Sequence, residues 1–418
     1  MAVRSGNVGA VRGRLAPVSV WPFGRLLSSY TLNELGDSVG IVALAVLVFD
    51  RTRAVAPTAG FFIAAKFLPA LLAPLLTARI DQLRLRRVLP AIYVVEAVAF
   101  ATLALIADRG FVLVPVLALG LLDGCFALTG RGLTRGAVAA VLQPSNLLQE
   151  GNALMNMGFA VASVAGAAFG GVLISKLGVA AALLVDAGSF LLIAVLLAAT
   201  RGLPHAHVER EAWRERVSAG LRFARRPGPV RVLLAGQALA LVCFALIVPI
   251  EVIYAKESLG TTSAGYGALL AFWGAGIVVG SLLYIAARRR SALALILGSS
   301  AAIGLAYLGM ASATSLAFAC LMSVLGGIGN GIQWIAVMTA LQDVTPRDYQ
   351  ARVAGLLESI GAAMPGVGYV LGAAIVAVGS PRTAYTIAGV GVLVLVLVAL
   401  LWRPELERRP RTAEAVPS

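Results

Sequence analysis

Charge is what this chain has least of. Only 13% of its 418 residues are Asp, Glu, Lys or Arg, against 59% hydrophobic ones. A water-soluble core of this length does not need that much apolar surface. Lysine is almost missing: Lys66, Lys176 and Lys256 are all there is, so the basic side is carried by arginine. That bias suits a GC-rich genome and carries no mechanism. Cys125, Cys243 and Cys320 each sit inside an apolar stretch, which fits small buried hydrophobes and not a disulfide framework or a metal centre. His205 and His207 are the only histidines and have no third ligand nearby, so no metal is expected. Gly326 to Gly331 is glycine-rich, but no Lys-Ser/Thr follows, which excludes a phosphate loop and with it a self-contained ATP-driven pump. No nucleophile–base pair stands out, so an enzyme is the weakest reading, and no cofactor is implied. The N-terminus shows no cleavable signal pattern.

What the chain does have is long apolar runs. Mean hydropathy is +0.90. Each bilayer crossing takes about 20 mostly apolar residues. The runs predict twelve all-α crossings at Phe23–Phe49, Ala56–Thr77, Val88–Ala107, Phe111–Leu128, Leu154–Leu173, Val179–Ala199, Leu233–Tyr254, Ala264–Ala286, Ala292–Met310, Ser315–Leu341, Val353–Val378 and Ala384–Trp402. Barrel strands would be short and alternating, and these are neither.

The arginines fall into alternate gaps. Arg4, Arg12, Arg14 and Arg25 precede the first run, and Arg79, Arg84, Arg86 and Arg87 follow the second. Arg131 and Arg135 follow the fourth, and the gaps after the sixth, eighth and tenth and the tail hold most of the rest. The opposite gaps hold only Arg51, Arg53, Arg109, Lys176, Lys256 and Arg382. The positive-inside rule then puts both termini in the cytoplasm, as an even number of crossings requires. The net charge of +14 is spread over short gaps, which suits the bilayer surface and not nucleic acid.

Five segments follow: a tail over 1–22, a six-helix bundle over 23–200, a central loop over 201–231, a second bundle over 232–402 and a tail over 403–418. Within the loop, Trp213, Val217 and Leu221 recur at helical spacing among charges, the pattern of an amphipathic helix lying on the inner surface. The halves repeat one another about 200 positions apart. Ala59-Gly60 matches Ala264-Gly265, Leu142-Gln143 matches Leu341-Gln342, and Gly166 and Gly170 match Gly368 and Gly372. Parallel halves with a substrate path between them describe a transporter architecture.

On these features the chain resembles the major facilitator superfamily, and within it the enterobactin-exporter-like, transmembrane secretion effector branch. Asn33-Glu34-Leu35-Gly36-Asp37 is similar to that branch's first-helix segment, Arg135 to its arginine after helix four, and Gly151-Asn152-Ala153 to its helix-five opening. Trp213-Arg214-Glu215 with Gly220-Leu221-Arg222-Phe223 resembles its central-loop helix, and Pro346 through Arg352 its turn before helix eleven. Two departures stand out. In the loop from Thr77 to Arg86, Asp81 and Arg86 match the superfamily pattern, while Gln82 and Arg84 replace an arginine and a glycine. The helix-five exporter motif reads Gly166-Ala167-Ala168-Phe169-Gly170-Gly171, without its proline. The resemblance implies transport by alternating access, in most such proteins by a monomer.

A charge at mid-bilayer costs about 2.5–3.5 kcal/mol, so each one there needs a reason. Asp37 lies midway along the first helix, with Glu34 a turn earlier on the same face and Asn33 beside it. Neighbouring carboxylates in a low dielectric hold protons more tightly, which suits loading and release. The plainer role is an ion pair that holds an inner gate, or helix packing. Asp123, Glu251 and Glu358 are further candidates for the proton or substrate path. Glu251 stands beside Pro249, near the outer end, where simple exposure also accounts for it. Glu358 could instead pair with Arg352. Arg135 is expected to bond Asp37 or Glu34 where helix four meets the cytoplasm, with Arg131 alongside. By resemblance, Asp81 with Arg86 and Arg87 forms a cytoplasmic latch between helices two and eleven, and Asp186 is structural or an outer gate. Glu96 and Lys66 are left as a structural pair or as headgroup contacts. Gly166, Gly170, Gly171, Gly368 and Gly372 let helices approach closely and slide, or simply pack. Gln237, Gln333, Trp273 and Trp334 are candidates to line the path.

Three functions follow in order. The first is proton-driven export of a small amphipathic molecule, drug or siderophore-like. The second is uptake or facilitated passage of a small solute. The third is a membrane sensor on the same fold. The partners implied are the lipid bilayer, a small-molecule substrate and the proton.

Overall fold

The computed structural model describes residues 16–80, 85–200, 228–287, 289–345 and 347–401. Among them, twelve helices are long and apolar enough to cross a membrane. We number them α1 (Trp21–Thr52), α2 (Val55–Ala73), α3 (Leu85–Arg109), α4 (Leu113–Ser145), α5 (Leu148–Leu177), α6 (Val179–Ala198), α7 (Pro229–Ser258), α8 (Ser263–Ala287), α9 (Ala292–Ser312), α10 (Leu316–Val344), α11 (Arg347–Val378) and α12 (Pro381–Leu401). Helices dominate because lipid offers no hydrogen-bond partners and a helix satisfies its own backbone.

Most helices outrun the apolar stretches that announce them. α4 continues to Ser145, well past Leu128, and α5 begins at Leu148, six residues before Leu154. Hydropathy marks where the bilayer core ends, while the Ala-, Leu- and Arg-rich flanks carry on as good helix formers. α7 opens at Pro229, at a position where its missing N–H costs nothing, so the last residues of the expected central loop belong to this helix. Residues 201–227, which hold the expected amphipathic helix, lie outside the described residues.

Two helices are interrupted. In α2, Ile63–Phe67 is a π-turn, followed by Pro69. Pro69 has no N–H to give Ala65 four residues back, and Gly124 of α4 packs against that carbonyl and the proline ring, where any Cβ would collide. In α7, Val248-Pro249-Ile250 breaks the helix into a turn before Glu251, and a second π-turn spans Tyr254–Ser258.

The chain divides into two compact units. One holds α1 to α6 together with Tyr266–Ala271 of α8, and the other holds α7 to α12 less that stretch. In the first, α1 packs on α5 and α6, α3 on α6, and α2 on α4. In the second, α7 packs on α11 and α12, and α9 on α12 and α10. Gly166 lies against the Leu35 carbonyl and Ser38, and Gly170 against Val39, so the glycines of α5 bring it onto α1. Gly368 and Gly372 do the same for α11 against Val242, Ala245 and Leu246 of α7. Gly171 is buried in α5.

Arginines in the charge-poor gaps close helix ends. Arg51 donates to the Ala107 carbonyl at 2.6 Å, and Arg382 to Ala311 at 2.8 Å and Ser258 at 3.1 Å. Arg25 likewise reaches the Ala199 carbonyl at 2.9 Å. Each satisfies a carbonyl that has no partner within its own helix and sits where the dipole favours a cation.

Candidate functional site

The charged site is assembled in the first unit from α1, α2 and α4. Asn33 and Glu34 lie four and three residues before Asp37 on α1, so each shares a face with it. Arg131, inside α4, reaches both carboxylates. Its Nη2 donates to Asp37 Oδ2 at 2.8 Å, and its Nε lies 2.8 Å from Glu34 Oε1. The second contact is an ion contact and not an aligned hydrogen bond, since neither atom finds good hydrogen-bond geometry. Asn33 Nδ2 donates to Asp37 Oδ2 at 3.2 Å. The side chains of Glu34 and Asp37 are 2% and 10% exposed and that of Arg131 is 27% exposed, so this clasp is buried and largely unscreened.

The expected partner was one turn off. Arg135 donates to the Tyr30 hydroxyl at 3.3 Å, while Arg131 takes the carboxylates. The reason is the length of α4. The helix continues beyond the apolar run, so Arg131 lies within the helix and not at its end, and one turn separates the two arginines.

Beside the clasp lies a cavity of about 90 Å³. Asp37, Lys66, Asp123 and Arg131 line it, among aliphatic and aromatic residues that include Phe61 and Phe100. Lys66, expected as a structural pair or a headgroup contact, is exposed and lines this cavity. It stands in the π-turn of α2, a local geometry frequent at functional sites. The sequence signal was available: a lone lysine amid an apolar stretch, three residues before a proline. Glu96 does not pair with Lys66. It is fully buried in α3, and neither carboxylate oxygen has a hydrogen-bond partner.

Asp186 is buried in α6 against α1. Its carboxylate occupies the space left by Gly36 and Gly40, and Ser189 donates to Oδ1 at 3.2 Å. Gly36 thus has a reason to be glycine within the Asn33–Asp37 segment: a Cβ there would meet Asp186.

The other candidates belong to other helices. Arg86 and Arg87 are exposed at the start of α3 and form no ion pair among the described residues. Asp81 lies outside the described residues. Glu251, half-buried just after the break in α7, and Glu358, exposed on α11, both belong to the second unit. Gln237 of α7 and Gln333 of α10 do meet: Gln333 Nε2 donates to Gln237 Oε1 at 3.4 Å, with both side chains buried. No cluster of His, Cys, Asp or Glu fit to hold a metal occurs among the described residues.

The family model for the transmembrane secretion effector matches residues 12–358, most of the chain. The chain belongs to that family. It is also similar to the enterobactin exporter EntS of Shigella boydii serotype 18, with 29% identity over 312 residues, 73% of each chain. Among solved structures it superposes on the nucleoside transporter NupG with a TM-score of 0.74 at 12% identity, covering 91% of this chain and 99% of that one. It also superposes on a bacterial homolog of the human lysosomal transporter Spinster, with a TM-score of 0.68 at 15% identity, covering 96% and 99%. A third match is the POT family transporter PepTSo, at 0.68 and 11%, covering 93% and 99%. These likenesses fix the fold. This member of the family is a multi-pass membrane transporter of the major facilitator type.

Proposed function

We propose that the protein exports a small amphipathic molecule in exchange for protons, by alternating access. One observation supports the proton step above others. Glu34, Asp37 and Asp123 face Arg131 and Lys66 around one clasp and its cavity. With all five ionised, the group carries one unbalanced negative charge, and one proton cancels it. A low-dielectric site holding a single excess charge favours taking up one proton when the cavity is closed to water and releasing it when wet. Asp37 is the natural carrier, because it belongs to both the clasp and the cavity. Arg131 is the counter-charge that must be offered a substitute whenever Asp37 is neutral.

Export is supported by the family's description as a secretion effector and by the exporter it is similar to. The substrate class follows as drug- or siderophore-like. The arginine-rich gaps favour both termini in the cytoplasm. A second reading, uptake or facilitated passage of a small solute, has its own support. The solved structures named above are described as a nucleoside transporter, a POT family transporter and a homolog of a lysosomal transporter, and none as an exporter. It weighs heavily on direction, which the experiment therefore has to decide.

The test is accumulation in a pump-deficient bacterial host. Wild type, Asp37→Asn and an uncoupler-treated arm are compared at equal expression, with a fluorescent lipophilic cation, an antibiotic panel and secreted enterobactin as readouts. Export predicts lower accumulation with wild type, lost both with the uncoupler and in Asp37→Asn. Higher accumulation with wild type would replace export by uptake. No change in any arm would remove the drug and siderophore reading.

A further inference from the structure

The second unit contains a cavity that the charged site does not use. It measures about 350 Å³ and is walled by α7, α9, α10 and α12. Its axis follows α7: the lining runs from Arg231 to Ala240, about 13 Å at the helical rise. α12 runs the opposite way, since Gly391 stands beside Cys243, so Val392 lies at the Ala240 end and Ala399 at the Arg231 end. Arg231 is exposed at one end, and the buried Gln237–Gln333 pair with Ser300 supplies polar lining about 9 Å further along α7. Between them the walls are aliphatic, Leu297 and Val396 among them. The shape is a sleeve with a cationic mouth.

We propose that this sleeve holds one acyl chain of an anionic phospholipid of the surrounding bilayer, with its phosphate at Arg231. An apolar void left empty forfeits dispersion contacts along its whole lining, and the bilayer supplies hydrocarbon chains at the highest concentration. Hydrophobicity alone does not select a lipid, because the chain leaves one apolar medium for another. Selection rests with the headgroup, and a single guanidinium at the mouth selects an anion. The sleeve is open along one wall: Ala235, Gly236 and Leu239 of α7 are exposed, and nothing lies within 4 Å of where a Gly236 Cβ would be. A chain can therefore slide in from the side without the helices parting.

The experiment uses the full chain, purified in detergent and exposed to phosphatidylglycerol or phosphatidylcholine with identical acyl chains, with retained lipid counted by native mass spectrometry. Wild type should keep one phosphatidylglycerol in preference to phosphatidylcholine. Arg231→Gln should cut that preference about fivefold, the worth of one basic residue at the membrane surface. Gly236→Phe fills the sleeve from a position with free space and should reduce retention of both lipids. Unchanged preference in Arg231→Gln, or unchanged retention in Gly236→Phe, would overturn the proposal. A second measurement needs no variant. Phosphatidylglycerol with a photoreactive group in its tail should label residues lining the sleeve in the wild-type chain, and labels confined to other helices would equally overturn it. If a drug, and not added phosphatidylglycerol, competes the label away, the sleeve is a substrate site and the lipid assignment falls. Transport is not measured in either arm, so the outcome does not depend on the direction of transport.

Discussion

The two halves hold the same place with different chemistry. Asp37 and Gln237 are 200 positions apart, and Arg131 and Gln333 are 202 apart, the same spacing as Gly166 and Gly368. In the first unit the pair is a buried ion contact between α1 and α4, at 2.8 Å. In the second it is a neutral amide bond between α7 and α10, at 3.4 Å. The helix pairing and the glycines that permit close approach repeat in both halves. The difference teaches that a polar contact at this position is common to both halves, while the charge belongs to the first alone. A buried ion pair is weak evidence for stability, since hydrophobic replacements are often as stable. Stability alone therefore does not account for the charged version, and the proton exchange proposed above would.

The largest expected effect comes from breaking the charged version on one side. Arg131→Leu leaves Glu34 and Asp37 buried without their cation, and loss of one partner from a buried pair costs about 3–5 kcal/mol. The thermal midpoint of the detergent-purified protein should fall sharply. Adding Glu34→Gln and Asp37→Asn in the same chain should recover most of the loss without restoring transport. If Arg131→Leu melts like wild type, the clasp is not the buried, unscreened contact described above.

A smaller effect is expected from the neutral version. Gln237→Leu strands the Gln333 amide, and an unsatisfied buried polar group costs about 1–3 kcal/mol. Replacing both by Leu removes the two groups together and should be close to neutral. The corresponding repair in the first unit takes three substitutions and not two, because one guanidinium faces two carboxylates. A melting series of single and double Gln variants checks this. A double variant as unstable as the sum of the singles would mean that the amides bond elsewhere.

The same contrast separates what was legible in the sequence from what was not. Twelve crossings, the two-fold repeat and the clustering of Glu34 with Asp37 follow from hydropathy, from spacing near 200 and from the helical turn. The partner of Asp37 did not follow, because a helix end cannot be read from apolar content: Arg131 stands inside a helix that continues to Ser145. The place of Lys66 beside the cavity did not follow either, because the π-turn at Ile63–Phe67 and the close approach of Gly124 to Ala65 and Pro69 are tertiary facts. The Gln237–Gln333 contact needed the fold as well, since its members are 96 positions apart and neither carries a charge to attract notice.

The smallest effect tests whether the halves are alike where no chemistry intervenes. Gly188 of α6 and Gly298 of α9 are exposed glycines in helix interiors, with nothing within 4 Å of an added Cβ. Neither makes the close approach that keeps Gly166 or Gly368 small. Alanine at each removes backbone freedom from the unfolded chain and adds no clash, which should stabilise by about 0.5–1 kcal/mol. Equal small rises in the thermal midpoint for Gly188→Ala and Gly298→Ala would show that the backbones of the two bundles respond alike, leaving the Asp37–Arg131 and Gln237–Gln333 pairs as the point where they part. A loss at one position only would mean that its glycine is kept for motion or for a contact made in another state, and the sequence repeat would then overstate the likeness of the halves.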